Sequence, residues 1–283
     1  MLLFIKYSST ITVSCLESVF VAIISPLPIY TIEYNFGQIK CFGYLFDPIA
    51  GVNTFMKRAI LQVQIKPEPN QQKLTRTFHH MEDLYNLSAQ QAKSYASQCN
   101  ADYVQITDCN FLPDKHPAFQ RLKLFEMDYD QILYLDSDAI IMNDVPNIFE
   151  LYQDHEFCAT MDINWHSSSE YYKKVKEKVC IRYNASQNYL PFCSGVMLMN
   201  RDWVAKAKTI YKKYLYEFDK NGYYDQGIMN SVVVEMGEQY TVLPEDWGAW
   251  YKKGKYIIHL ATNKKKKFVL DKFCKINNLR QPQ

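Results

Sequence analysis

The sequence predicts an α/β domain with a mainly parallel, mixed sheet flanked by helices. Three observations carry that prediction. Short apolar runs alternate with longer helical segments from about residue 58 to residue 260, the pattern of a parallel sheet covered by helices. The chain has 283 residues, 48% of them hydrophobic, which is enough for one large core. No internal repeat is visible that would point to a solenoid or propeller.

The elements follow in order. Residues 60–65 set Leu61, Val63 and Ile65 against Gln62 and Gln64, the period-two alternation of a strand. Residues 88–98 read as a helix, with Ser88 as its cap. A short strand is predicted at 102–107, then a helical segment at 117–127 with Pro117 in its first turn. Gln131–Leu135 and Phe157–Met161 are compact apolar strands, and 195–199 is a third. Helices are predicted at 202–218 and 227–236, and strands at 240–243 and 256–260.

Composition removes several function classes. Lys and Arg total 32 against 30 acidic residues, so no global field draws the chain to nucleic acid. Only 9 residues are Gly, and there is no G-x-G-x-x-G. The nearest approach to a P-loop, Gly248 to Gly254-Lys255, has the wrong spacing and no Ser or Thr after the Lys. The 8 Cys form no C-x-x-C, which argues against a zinc ribbon or a dithiol redox motif. They read as reduced, buried thiols of a cytoplasmic protein. The N-x-S sequons at Asn86 and Asn184 leave an ER or Golgi membrane-anchored protein as the alternative.

Residues 1–55 differ from the remainder. They hold five charged residues (Lys6, Glu17, Glu33, Lys40, Asp47), and their longest apolar run, Val19–Ile24, is too short to span a bilayer. They are expected to be an extension of uncertain order, with 56–283 as the main domain and Met56 as a second candidate start. The stretch from Gly248 onward carries ten basic residues against Asp271 alone. It reads as a solvated face or as an anion site. Membrane contact is left open for residues 1–55 and for this basic end.

The most informative segment is Leu133-Tyr134-Leu135-Asp136-Ser137-Asp138. A buried strand ends in two carboxylates one residue apart, where open α/β sheets collect ligands. Two such carboxylates repel unless a positive group lies between them, and a hard divalent cation meets that need. A solvated turn capped by Asp136 is the simpler alternative.

This segment, followed by Ile140-Ile141, resembles the D-x-D motif of nucleotide-sugar glycosyltransferases with the GT-A fold. Lys93-Ser94-Tyr95-Ala96 with Ala101-Asp102-Tyr103 resembles the family's K-x-x-Y-A helix and following strand. His116 to Leu122 resembles the helix before the D-x-D strand. Phe192-Cys193-Ser194-Gly195-Val196 to Asn200 resembles the family's N-S-G-V strand, and Asp225-Gln226 its D-Q pair. Ile257-Ile258-His259-Leu260 with Lys264-Lys265 resembles the terminal H-x-x-G-x-x-K, although Thr262 stands at the Gly position. The resemblance spans about residues 58–276. It is similar to that of family 8 and of small glycosyltransferase domains from large algal viruses.

The resemblance implies a single GT-A (Rossmann-like) domain and a metal-dependent transfer of a sugar from a nucleoside-diphosphate sugar, UDP favoured, to a glycan or glycoprotein hydroxyl. It implies Asp136, Asp138 and His259 as ligands of Mn2+ or Mg2+, and Asp136, Arg121, Gln226 and Lys265 as donor contacts. Asp225 is implied as the catalytic carboxylate, with Glu245 and Asp246 as competitors. Simpler roles stay open at this point: a core histidine for His259, a surface salt bridge for Arg121 and a helix cap for Asp225. Trp165-His166 and Trp247 to Trp250 are candidate sugar-stacking surfaces. The alternative function is a catalytically inactive nucleotide-sugar or glycan-binding protein on the same fold. A phosphohydrolase is disfavoured, because Asp138-Ala139-Ile140 lacks the D-x-D-x-[TV] arrangement of a nucleophilic Asp.

Overall fold

The computed structural model describes residues 12–16, 19–24, 27–35, 38–41, 56–66, 72–161, 177, 180–181, 184–186, 188–215, 224–250 and 255–260. The chain divides into two compact units, Met1–Phe55 and Met56–Gln283. In the first, β1 (Thr12–Leu16), β2 (Val19–Ile24), β3 (Leu27–Asn35) and β4 (Gln38–Cys41) form an antiparallel four-stranded sheet in sequence order.

The second unit is built on a six-stranded mixed sheet. Its strands are β5 (Arg58–Val63), β6 (Asp102–Ile106), β7 (Gln131–Leu135), β9 (Phe157–Met161), β10 (Phe192–Asn200) and β11 (Thr241–Leu243). The order across the sheet is β11-β9-β10-β7-β5-β6. β5 is parallel to β6 and β7, and β11 is parallel to β9. β10 runs against both neighbours, β7 and β9. A smaller sheet in the order β12-β13-β8 joins β8 (Ala139–Ile141), β12 (Ala249–Trp250) and β13 (Ile257–His259).

Among the described residues the helices are α1 (Gln72–Gln98), a 3-10 helix at Pro117–Glu126, α2 (Ile148–Leu151), α3 (Arg201–Tyr214), α4 (Tyr224–Glu235) and a short 3-10 helix at Glu245–Trp247. Among the described residues no helix is long and apolar enough to cross a membrane.

The central strands are apolar on both faces because both faces are covered. Ile132 and Tyr134 of β7, with Met197 and Met199 of β10, pack into a core with Phe119, Phe125, Trp203 and Met229. Leu133, Leu135, Val196 and Leu198, pointing the other way, join a second core with Ala92, Tyr95 and Ala96 of α1. α3 shows how local sequence fixes an element. Asn200 Oδ1 accepts from Trp203 N at 2.9 Å as the N-cap, Asp202 lies in the first turn, and Lys212 and Lys213 lie in the last. Its Trp203, Val204, Ala207 and Tyr211 form the buried face.

Several sequence expectations change. Ser88 is not a cap: α1 begins at Gln72, and Ser88 is fully buried within it. The physical reason is a tertiary demand for its hydroxyl, which donates to Ala139 O at 2.5 Å and accepts from Gln62 Nε2 at 2.9 Å. Gln62 is buried as well, because β5 is an inner strand with both faces covered. The 117–127 segment is a 3-10 helix, opened by Pro117 and capped by His116 Nδ1, which accepts from Ala118 N at 3.2 Å. The predicted extension of the 202–218 helix beyond residue 215 lies outside the described residues, as do Trp165 and His166.

Candidate active site

The D-x-D segment is the turn that carries the chain from the large sheet to the small one. Asp136 follows β7 and Asp138 precedes β8. Backbone bonds hold the turn: Asp136 N donates to Gly195 O at 2.8 Å, Ala139 N to Asp136 O at 2.9 Å, and Leu260 N to Asp138 O at 3.1 Å. Behind it lies a buried polar relay. Tyr103 Oη donates to Gln62 Oε1 at 2.9 Å, and Gln62 Nε2 donates to Ser88 Oγ and to Asp136 O, the latter at 3.3 Å. The side chains of Gln62 and Ser88 are thus paired, and each bond restrains the turn.

β13 brings His259 to this turn, opposite Ala139 in the antiparallel register of β8. Its Nε2 lies 3.2 Å from Asp136 Oδ2 and 3.3 Å from Asp138 Oδ1. One ligand atom from each of the three side chains falls within 4.8 Å of the other two. The imidazole is buried at 3% exposure. Burial disfavours its charged form, but Cys193, Asp136 and Asp138 outweigh that and hold its pKa well above the ordinary value.

Arg121 enters from the 3-10 helix and is the second organiser. Its guanidinium lies 2.6 Å from Asp136 Oδ1 and 2.6 Å from Asp225 Oδ2. It also donates to Ser194 O at 2.9 Å and to Ser194 Oγ at 3.0 Å. The guanidinium lies over the Tyr134 ring, 4.4 Å from its centroid. Tyr134 Oη donates to Asp136 Oδ1 at 2.8 Å, which follows from β7 placing residues 134 and 136 on one side. Asp225 occupies the first turn of α4, is buried, and accepts from Ser194 Oγ at 3.3 Å.

The two carboxylates beside Arg121 titrate in opposite directions. Burial pushes Asp136 up, but Arg121 and His259 prevail and its pKa lies below the ordinary carboxylate value. Burial, with the added repulsion of Asp136, pushes Asp225 up to about 6 against the pull of Arg121. Arg121 lowers both carboxylates; His259 beside Asp136, and the repulsion of Asp136 on Asp225, set the two apart.

Of the residues singled out in the sequence, Arg121, Asp136, Asp138, Asp225 and His259 are thus brought together. Gln226 follows Asp225 in α4 and is partly buried, and Lys265 lies outside the described residues. Arg121 is a buried link between two carboxylates, not a surface pair, and Asp225 lies within the helix instead of capping it. Trp247 is a core residue at 2% exposure, packed against Tyr152 and Tyr256, so it offers no face to a sugar. Ser194 and Tyr134 are not singled out by the sequence, although both stand inside its motifs, Tyr134 two residues before Asp136.

The sequence profile of glycosyl transferase family 8 matches residues 52–271. The chain belongs to that family and is a glycosyltransferase. A search of curated proteins by sequence finds no match. Among solved structures, the apo bifunctional glycosyltransferase WbbM is similar in fold, with a TM-score of 0.50 and 13% identity over 84% of this chain and 52% of that one. The glycosyltransferase described here therefore spans about half of WbbM. The galactosyltransferase LgtC, solved with donor and acceptor sugar analogs, gives a TM-score of 0.46 and 14% identity over 79% of this chain and 84% of that one. A glycosyltransferase involved in glycosylating the major capsid of PBCV-1 gives 0.48 and 12%, over 75% and 98%. The mixed six-stranded sheet flanked by helices is the GT-A architecture.

Proposed function

We propose that this glycosyltransferase moves a sugar from a nucleoside-diphosphate sugar, UDP favoured, to a hydroxyl of a glycan or glycoprotein, with Mn2+ or Mg2+ at Asp136, Asp138 and His259. The convergence of those three side chains carries the reading. The donor set suits a hard to borderline divalent cation: two carboxylate oxygens and an imidazole nitrogen. The same point already demands positive charge, because one buried imidazole faces both carboxylates. When bound there, the cation supplies neutralisation of the negative charge that builds on the departing diphosphate.

The chain's own residues do the remainder. Asp136 and Asp138 offer carboxylate oxygens, and His259 offers Nε2. Arg121 fixes Asp136 and Asp225 relative to each other, so that the phosphate side and the sugar side of the donor are held in one register. Asp225, with a pKa near 6, is the carboxylate assigned to the sugar or to the acceptor proton. Gln226, next to it in α4, is assigned to the donor, and Lys265 to a diphosphate oxygen. A cytoplasmic location is proposed on the reading of the buried Cys99 and Cys158 as reduced thiols.

Calorimetric titration with UDP-glucose, UDP-galactose and GDP-mannose, in Mn2+ and then in EDTA, tests the proposal. Binding of one donor is expected to require Mn2+ and to weaken at least about a hundredfold in Asp138→Ala, since losing a ligand exceeds losing a ligand's supporting partner. Donor binding by Asp138→Ala that equals wild type under saturating Mn2+ overturns the metal assignment.

A further inference from the structure

His259 is held from behind by one strand. Gly195 of β10 leaves no room for a side chain: a Cβ there would lie 2.2 Å from His259 Cε1, 2.5 Å from Nε2 and 2.7 Å from Nδ1. The imidazole therefore rests directly on the β10 backbone. Two residues earlier on the same face of β10, Cys193 Sγ lies 3.5 Å from His259 Nδ1. The other ring nitrogen, Nε2, faces Asp136 and Asp138. Cys193 also stands at the Asn position of the N-S-G-V pattern that this strand otherwise resembles.

An imidazole binds a cation through a lone pair, so the nitrogen turned to the cation cannot carry the hydrogen. If Nε2 is the ligand, the hydrogen resides on Nδ1 and needs an acceptor, and partners of this kind fix both tautomer and ring orientation. Among the described residues, the side chain bonded to Nδ1 is Cys193, through its sulfur.

We propose that Cys193 is the positioning residue of the metal site: its sulfur accepts from His259 Nδ1–H and holds Nε2, across the gap left by Gly195, in the lone-pair form directed at the cation. The inference rests on the metal reading given above. Cys193 acts through His259 and touches neither donor nor metal. The sulfur replaces the oxygen acceptor that supports most metal-bound histidines, which leaves the site's affinity dependent on one thiol.

Two measurements test it on the full-length chain. Long-range 1H–15N NMR of the His259 ring, with Zn2+ or Mg2+ as a diamagnetic ion, is expected to show Nδ1 protonated and Nε2 unprotonated. Titration of Mn2+ by electron paramagnetic resonance is expected to show Cys193→Ala binding roughly ten- to a hundredfold more weakly than wild type, with an unchanged circular dichroism spectrum. Cys193→Asn, which restores an oxygen acceptor, is expected to recover most of that loss; a purely packing role for the thiol predicts no such recovery. An Nε2–H tautomer in the loaded protein, or Mn2+ affinity unchanged in Cys193→Ala, overturns the proposal alone. Absence of Mn2+ binding by wild type overturns the metal reading and the proposal with it.

Discussion

The middle and the end of one 3-10 helix carry ion pairs of the same length in opposite surroundings. Near its middle, Arg121 lies 2.6 Å from Asp225, with both side chains 8% exposed. At its end, Glu126 lies 2.6 Å from Lys208 of α3, with 35% and 47% of the side chains exposed. Contact distance alone does not separate them. Water does: at the exposed pair it screens the attraction and offers each charge an equivalent partner, so the net contribution is small. At the buried pair no such alternative exists, and each charge depends on its partner. The exposed pair is a surface decoration, and the buried pair fixes the geometry of the site.

The largest effect should come from breaking the buried pair. Arg121→Met leaves Asp136 and Asp225 facing each other without their shared cation. It should lower the unfolding free energy by about 3–5 kcal/mol, measured by urea denaturation in EDTA. A loss near that of a surface pair would break the comparison.

Asp225→Asn should give the next effect, visible as a pH slope. The folded protein binds a proton at Asp225 up to about pH 6, whereas an unfolded chain releases it near 3.8. Stability contributed by this proton is therefore present at low pH and lost as pH rises from about 4 to about 6. Asp225→Asn should remove that falling component from a series of urea melts taken across the window. Parallel curves for the two proteins would mean that Arg121 holds Asp225 ionised throughout.

The exposed end sets the floor. Lys208→Ala should change stability by less than about 1 kcal/mol, and by less still in high salt. A loss as large as that of Arg121→Met would show that the contrast in burial has no energetic meaning.

Legibility in the sequence followed locality. The strands Gln131–Leu135 and Phe157–Met161 have the bounds that their apolar runs predict, because a strand covered on both faces is an uninterrupted apolar run. Ser88 escapes a local reading for the converse reason. Its polarity suggests a cap, whereas its hydroxyl is required behind the Asp136–Asp138 turn, bonded to Gln62, 26 residues away, and to Ala139 O. Trp247 misleads similarly, since an aromatic beside acidic residues looks the same whether it meets a sugar or Tyr256.

The sequence by itself determined the α/β alternation and the placing of Asp136 and Asp138 at the end of a buried strand, because hydrophobic periodicity and chain direction are local properties. It also contained the residues of the candidate site, in the order of the motifs they resemble. Only the tertiary structure decided how they meet: that Arg121 joins Asp136 to Asp225, that Gly195 admits His259, and that Cys193 stands behind it. Such contacts join positions as far apart as 121 and 225, and the electrostatics that divide two similar carboxylates depend on burial that no single segment encodes.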